Sequence, residues 1–308
     1  MKIFPGLLSL VLIFIFNGCA SKVNPTQNRI SKTSTLTNQC SEKIVFFSSR
    51  SNNGDLYTYD PVTMETSAFI IADSSVGSPV YNRLSNSLIF AQQNSNSRDL
   101  FSRNLTSGKT EFLISNPAGD EVPDWSPINR KIVFSSEVSL QNYSLVIQDI
   151  DTGEALIIYD GAKQPFDPVW SPNGSQIAFV ITDSVYNADI AIINSDGSGF
   201  TNLTNNSKLN GHPDWSPDES SLLFYIYQNG NADLFIMELE SANLTQLTFN
   251  SSNQLIGRFS SDGKKIVYGG IIDDDWEVFV MDSDGNNKEQ VTFNPGFDGD
   301  PVWIPCKT

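Results

Sequence analysis

The stretch GHPDWSPDESSLLFYI, residues 211–226, contains the only histidine of the 308-residue chain, beside Asp214, Asp218 and Glu219. Alone it reads as a catalytic cluster. Its shape recurs, however, as SPVYN at 78–82, VPDWSP at 122–127, DPVWSPNG at 167–174, IGRFSSDG at 256–263 and DPVWIP at 300–305. The aromatic positions Tyr81, Trp125, Trp170, Trp215, Phe259 and Trp303 are separated by 44, 45, 45, 44 and 44 residues. A period this regular marks a repeat architecture, and most of the quoted stretch belongs to the repeat.

Each copy continues with a short alternating run: KIVFFS from Lys43, SLIFAQ from Ser87, KIVFSS from Lys131, QIAFVI from Gln176, SLLFYI from Ser221 and KIVYGG from Lys265. A third run follows, such as DLYTYD from Asp55 or DLFIME from Asp233, and a fourth ends the unit with NLT or QLT. Period-two alternation broken by Gly, Asn, Asp and Pro reads as strands joined by tight turns. Four strands per unit of 44–45 residues predict an all-β fold, a six-bladed β-propeller with four-stranded blades. The first blade begins at its second strand, and a spare tryptophan strand ends the chain. That C-terminal strand is expected to complete the first blade and remove the edges an open stack would expose.

The formal charge of −16, without a basic stripe, opposes binding to nucleic acid. At the N-terminus Lys2 precedes an apolar run over 7–16 with signal-peptide proportions, too short to span a bilayer comfortably. The ending FNGC at 16–19 resembles the lipobox of bacterial lipoproteins. It implies a signal peptide over 1–18, lipidation at Cys19 and an anchor in the membrane. Residues 20–39 are polar and poor in large apolar groups, a flexible tether before the propeller at 40–308. Ala20 after the cysteine implies, again by resemblance, an outer-membrane lipoprotein, which we expect on the periplasmic face. The other two cysteines, Cys40 and Cys306, fall at the turn between the first two strands of the composite blade. An exported protein sits in an oxidising compartment, so a disulfide between them is expected.

The repeated P-x-W-S-P-x-G, I-x-F, D-[IL]-[FY]-x-M-D-x-D-G and L-T resemble the propellers of the TolB family, over residues 40–306. TolB proteins carry in addition an N-terminal α/β domain that engages TolA. The sequence here holds only a tether in that place, so the resemblance implies a TolB-like propeller without the Tol-specific module.

His212 is not dictated by the repeat; its column holds Ser78, Val122, Asp167, Ile256 and Asp300 in the other copies. A single histidine, no G-x-S-x-G elbow and no cysteine beyond the lipidation residue and the expected pair point away from catalysis. Loops entering the first strands and loops joining the second and third strands emerge on one face of a propeller. There we expect a carboxylate-rich binding funnel of Glu121, Asp124, Asp167, His212, Asp214, Arg258, Asp298 and Asp300, with aromatic tips at Tyr227 and Trp276. No cofactor is assigned; calcium is the ion that Asp273–Asp275 with Asp298 and Asp300 would suit. The expected function is a monomeric, non-catalytic scaffold that binds an envelope protein or peptide. A glycan-binding surface lipoprotein is the alternative, and a hydrolase or lyase at the channel mouth a weaker one.

Overall fold

A computed structural model describes residues 42–51, 53–93, 98–114, 123–139, 142–184 and 187–305. The lipidation residue Cys19, the tether, Cys40, Cys306 and Glu121 lie outside them. All regular elements among the described residues are strands, grouped in six four-stranded antiparallel units, which we number as blades 1 to 6. Blades 4 and 5 share one eight-stranded sheet through a single parallel bridge, Ala188 to Leu209.

The composite blade forms as the repeat requires. In blade 1 the C-terminal strand Asp298–Ile304 pairs with Lys43–Ser48, which pairs with Asp55–Asp60 and then Glu65–Ile70. Trp303 faces Ile44 and Ile304 faces Lys43 across the chain ends. The inner strands touch in cyclic order, the last against the first, so the molecule is a closed β-propeller.

Alternation along the strands sends neighbouring residues to opposite blade faces. In the second strand of blade 4, Ile177, Phe179 and Ile181 pack toward blade 3, whereas Ala178 and Val180 pack toward blade 5. The core is accordingly six separate apolar clusters, one in each interface between adjacent blades. The repeat aromatics Trp125, Trp170, Trp215 and Trp303 are buried in four of them.

The L-T and D-[IL] signatures interlock. Thr204, Thr248 and Thr292 each accept a backbone N–H from the third strand of their blade, at Ile190, Leu234 and Val278. Each threonine hydroxyl then donates to the carboxylate one residue earlier, Asp189, Asp233 or Glu277. Those carboxylates are buried, and the threonine gives each an internal partner.

Candidate functional site

The inner strands line the channel, and five of the six carry the same irregularity among the described residues. Register shifts by one residue in blades 1, 2, 4, 5 and 6, between Gly77 and Val80, Phe166 and Val169, Gly211 and Asp214, Leu255 and Arg258, and Val45 and Phe47 across blade 1. At each bulge one residue takes a left-handed φ: Ser78 50°, Asp167 47°, His212 49°, Ile256 55° and Asp300 52°. A non-glycine residue is disfavoured there, and four of these five precede proline, which disfavours it further. The bulge re-aims a side chain, so the variable column points into the channel.

This relocates the expected loop residues: Asp124, Asp214, Arg258 and Asp298 lie in the strands Asp124–Trp125, Leu209–Trp215, Gln254–Phe259 and Asp298–Ile304. Asp167, His212 and Asp300 sit within the strands Gln164–Trp170, Leu209–Trp215 and Asp298–Ile304, not in the loops entering them. Asp167 and His212 are 5% and 8% exposed, so they do not form a solvent-facing rim. His212 Nδ1 lies 3.5 Å from Asp167 Oδ2, and neither group has a hydrogen-bond partner at those atoms. Burial raises Asp167 to about 7, with Arg258 opposing only in part, and lowers His212 to about 4. The pair is within ion-pair distance, but burial favours the neutral form of both groups. We therefore read it as a neutral histidine beside a carboxyl that gives up its proton only near neutral pH. Asp300 is likewise held above the usual carboxylate range by burial, opposed by Arg258 and His212.

Two residues further along each inner strand stand Val80, Asp124, Val169, Asp214, Arg258 and Val302. Asp124 and Asp214 link blades: Asp124 Oδ2 accepts the backbone N–H of Trp170 at 2.7 Å, and Asp214 Oδ2 that of Phe259 at 2.8 Å. At Val169 the later blade again donates to the earlier one, but with side chain and backbone exchanged, from Trp215 Nε1 to the Val169 carbonyl. The same direction joins Trp303 Nε1 to the Arg258 carbonyl. Burial raises Asp124 and Asp214 to about 6 despite these bonds and the opposing charge of Arg258. Arg258 acts on Asp124, Asp167, His212, Asp214 and Asp300 alike, one guanidinium serving the whole channel.

A cavity of about 650 Å³ opens at the channel end where first strands turn into second strands. All six blades contribute to it: Pro79, Pro123, Pro168, Val302 and Trp303 give apolar walls, and Asp124, Asp214, Arg258, Glu42 and Arg83 give charges. This is the mouth opposite to the expected funnel. Glu42 and Arg83 were missed because both lie beside turns whose residue types signal only chain reversal.

On the expected face the candidates separate. Tyr227 is exposed at the end of a hairpin strand, but Trp276 is only 6% exposed and packs 5.8 Å from Phe297, so it is not an accessible aromatic tip. Asp298 is fully buried, bonded to Ser48 Oγ at 2.5 Å and to Arg50 Nη2 at 2.6 Å. Arg50 in turn lies 4.5 Å from the Tyr57 ring centroid. Asp298 thus ties the C-terminal strand to the N-terminal strand within blade 1. Among the described residues no three His, Cys, Asp or Glu side chains gather as a metal site would require. Of the residues considered for calcium, Asp273 and Asp274 stand on a hairpin, Asp275 and Asp298 both act on Glu277, and Asp300 stands in the channel.

No family profile and no curated protein matches the sequence. By structure the chain is similar to TolB from Acinetobacter baumannii, with TM-score 0.74 and 17% identity, covering 85% of this chain and 66% of that one. It is also similar to a chain of the nidogen/laminin complex, with TM-score 0.67 and 13% identity over 86% and 98% of the two chains. An oligogalacturonate lyase in complex with manganese gives TM-score 0.56 and 17% identity over 80% and 73%. The chain spans 66% of the Acinetobacter protein's length, and at these identities the shared property is the TolB-like β-propeller fold.

Proposed function

We propose that the protein is a lipid-anchored, non-catalytic envelope scaffold whose propeller binds a polypeptide segment of a partner protein at the channel mouth. The observation that carries this is the cavity of about 650 Å³ to which every blade contributes. Proline, valine and tryptophan surfaces there can bury apolar side chains, and charges of both signs can fix the register of a segment. The anchor rests on Cys19 and the lipobox-like FNGC, with the outer membrane as the expected location.

Pairing of Lys43 with Ile304 supports the expected Cys40–Cys306 disulfide, because the cysteines stand three residues before one and two after the other. Closing a loop of more than 260 residues stabilises by about 5 kcal/mol in the chain-entropy view.

A photo-crosslinking side chain at Arg83 tests the binding site in cells. Discrete protein adducts at Arg83, absent when the same group stands at the exposed outer turn residue Thr152, are expected. A lack of protein adducts at the mouth overturns the proposal. Metabolic labelling with a fatty acid tests the anchor, which Cys19→Ala should abolish.

A further inference from the structure

Blade 6 differs from its neighbours in the second half of its second strand. Where blades 4 and 5 carry Val180-Ile181 and Tyr225-Ile226, all buried, blade 6 carries Gly269-Gly270. Gly270 lies on the face that carries Tyr268, and its missing side chain leaves the 5/6 interface incompletely filled. A cleft of about 700 Å³ results, bounded by the connection over residues 250–252 and by the hairpin Asp273-Asp274. A Cβ on Gly270 would meet Phe279 at 3.2 Å and the Gln254 Cγ at 3.5 Å, so any side chain there intrudes among the cleft's walls.

The lining asks for a hydrogen-bond donor with positive charge. Gln254 is 1% exposed, and its Oε1 has no hydrogen-bond partner. Asp273 and Asp274 stand exposed at the rim, and among the described residues no Lys, Arg or His lines the cleft. Both aspartates take a left-handed φ, 51° and 65°, in a turn that blade 5 builds from Asn229-Gly230. Asn-Gly suits that geometry without placing two carboxylates side by side. The walls are Ile271, Ile272 and the stacked rings of Tyr268 and Phe279, whose centroids are 5.5 Å apart. Apolar walls suit an aliphatic stem, and aromatic faces suit a planar cation more than a compact ammonium. Phe249, beside the lining residue Asn250, is 73% exposed and offers an apolar surface next to the cleft.

We propose that this cleft between blades 5 and 6 is a second binding site, for an arginine side chain carried on a peptide with apolar neighbours. The guanidinium lies between the Asp273 and Asp274 carboxylates and the Gln254 amide oxygen, its stem along Ile272 and Phe279. The cleft is on the hairpin side of the ring, away from the channel mouth, and the two sites are independent.

Calorimetric titration with the peptide acetyl-Leu-Arg-Leu-amide tests it, with acetyl-Leu-Glu-Leu-amide and free agmatine as comparisons. Millimolar or tighter binding of the arginine peptide alone is expected. Asp273→Asn with Asp274→Asn keeps residues that tolerate the turn and should weaken binding about tenfold. Gly270→Val should abolish it by filling the cleft. Gln254→Met should weaken it with little change in melting temperature, since the lost Nε2 bond to Ser252 Oγ is long, 3.3 Å, and the lost acceptor is unpartnered. Asp214→Asn at the channel mouth should leave it unchanged. The site is overturned if the arginine peptide fails to bind, if the glutamate peptide or agmatine binds equally well, or if the folded Asn–Asn variant binds as the wild type does.

Discussion

His212 and Asp167 show how burial decides what a residue can do. A histidine beside an aspartate reads as a base with its orienting acid, yet here both atoms face each other unpaired at 3.5 Å. Asp167 has its folded value near 7 rather than 3.8, so its contribution to stability is complete below about pH 4 and lost as the pH rises to 7. His212, near 4 rather than 6.5, works oppositely: its contribution is present above pH 6.5 and lost as the pH falls to 4. Asp124 and Asp214, near 6, act in the same sense as Asp167. Asp167→Asn removes one titration from this set. Its stability relative to wild type should therefore grow by roughly 2–4 kcal/mol between pH 4 and pH 8. Urea unfolding at several pH values measures it, and a difference independent of pH would contradict an aspartate raised by burial. The histidine's singularity was legible in the sequence, but its place was not. GHPDW has the composition of a loop, and only the one-residue bulge makes it part of a strand that aims His212 inward.

At the scale of elements, the D-[IL] and L-T signatures are two halves of one device. Thr248 is fully buried, accepts the Leu234 N–H at 2.9 Å and donates to Asp233 Oδ1 at 3.0 Å. Valine has the same shape without the hydroxyl and would strand a backbone donor and a carboxylate oxygen. Thr248→Val should cost about 2–4 kcal/mol in denaturant unfolding, whereas Thr245→Val, exposed on the fourth strand that leads to it, should stay within about 0.5 kcal/mol. Equal effects at the two positions would show that the hydroxyl is not what holds the fourth strand. The sequence displayed these signatures as periodic text; their pairing was hidden because 14 or 15 residues separate the partners. Trp276 was misread for a related reason. Three aspartates before it suggest an exposed tip, but Phe297, from the connection into the next blade, covers it. Gly269-Gly270 was visible as a departure from the other copies, although what it empties depends on Gln254 and Phe279 from neighbouring strands.

For the whole molecule, period and closure were the most legible features, since both follow from one aromatic column and a count of strands. What the sequence could not convey was the cavity at the mouth where first strands turn into second strands, because cavity shape depends on how the six inner strands tilt and bulge together. Closure also governs how the chain unfolds. Trp303 lies on the last strand, is 8% exposed, and packs with Ile44 and Phe46 of the first described strand and Val267 and Val278 of blade 6. Its indole donates to the Arg258 carbonyl at 3.1 Å, so one side chain ties the chain ends to each other and to the neighbouring blade. Trp303→Ala removes the apolar contact and the donor together, a loss of about 3–5 kcal/mol for a buried aromatic. In a closed ring that loss weakens every blade's flanking support, so unfolding should remain a single transition with its midpoint lowered by roughly 5–10 °C. An open stack would instead shed blade 1 first, leaving blades 2 to 6 to melt near the wild-type temperature. Thermal unfolding followed by circular dichroism and by tryptophan fluorescence separates these outcomes. Coincident, shifted curves are expected from the ring, and an early partial transition would show that the ends do not close it energetically.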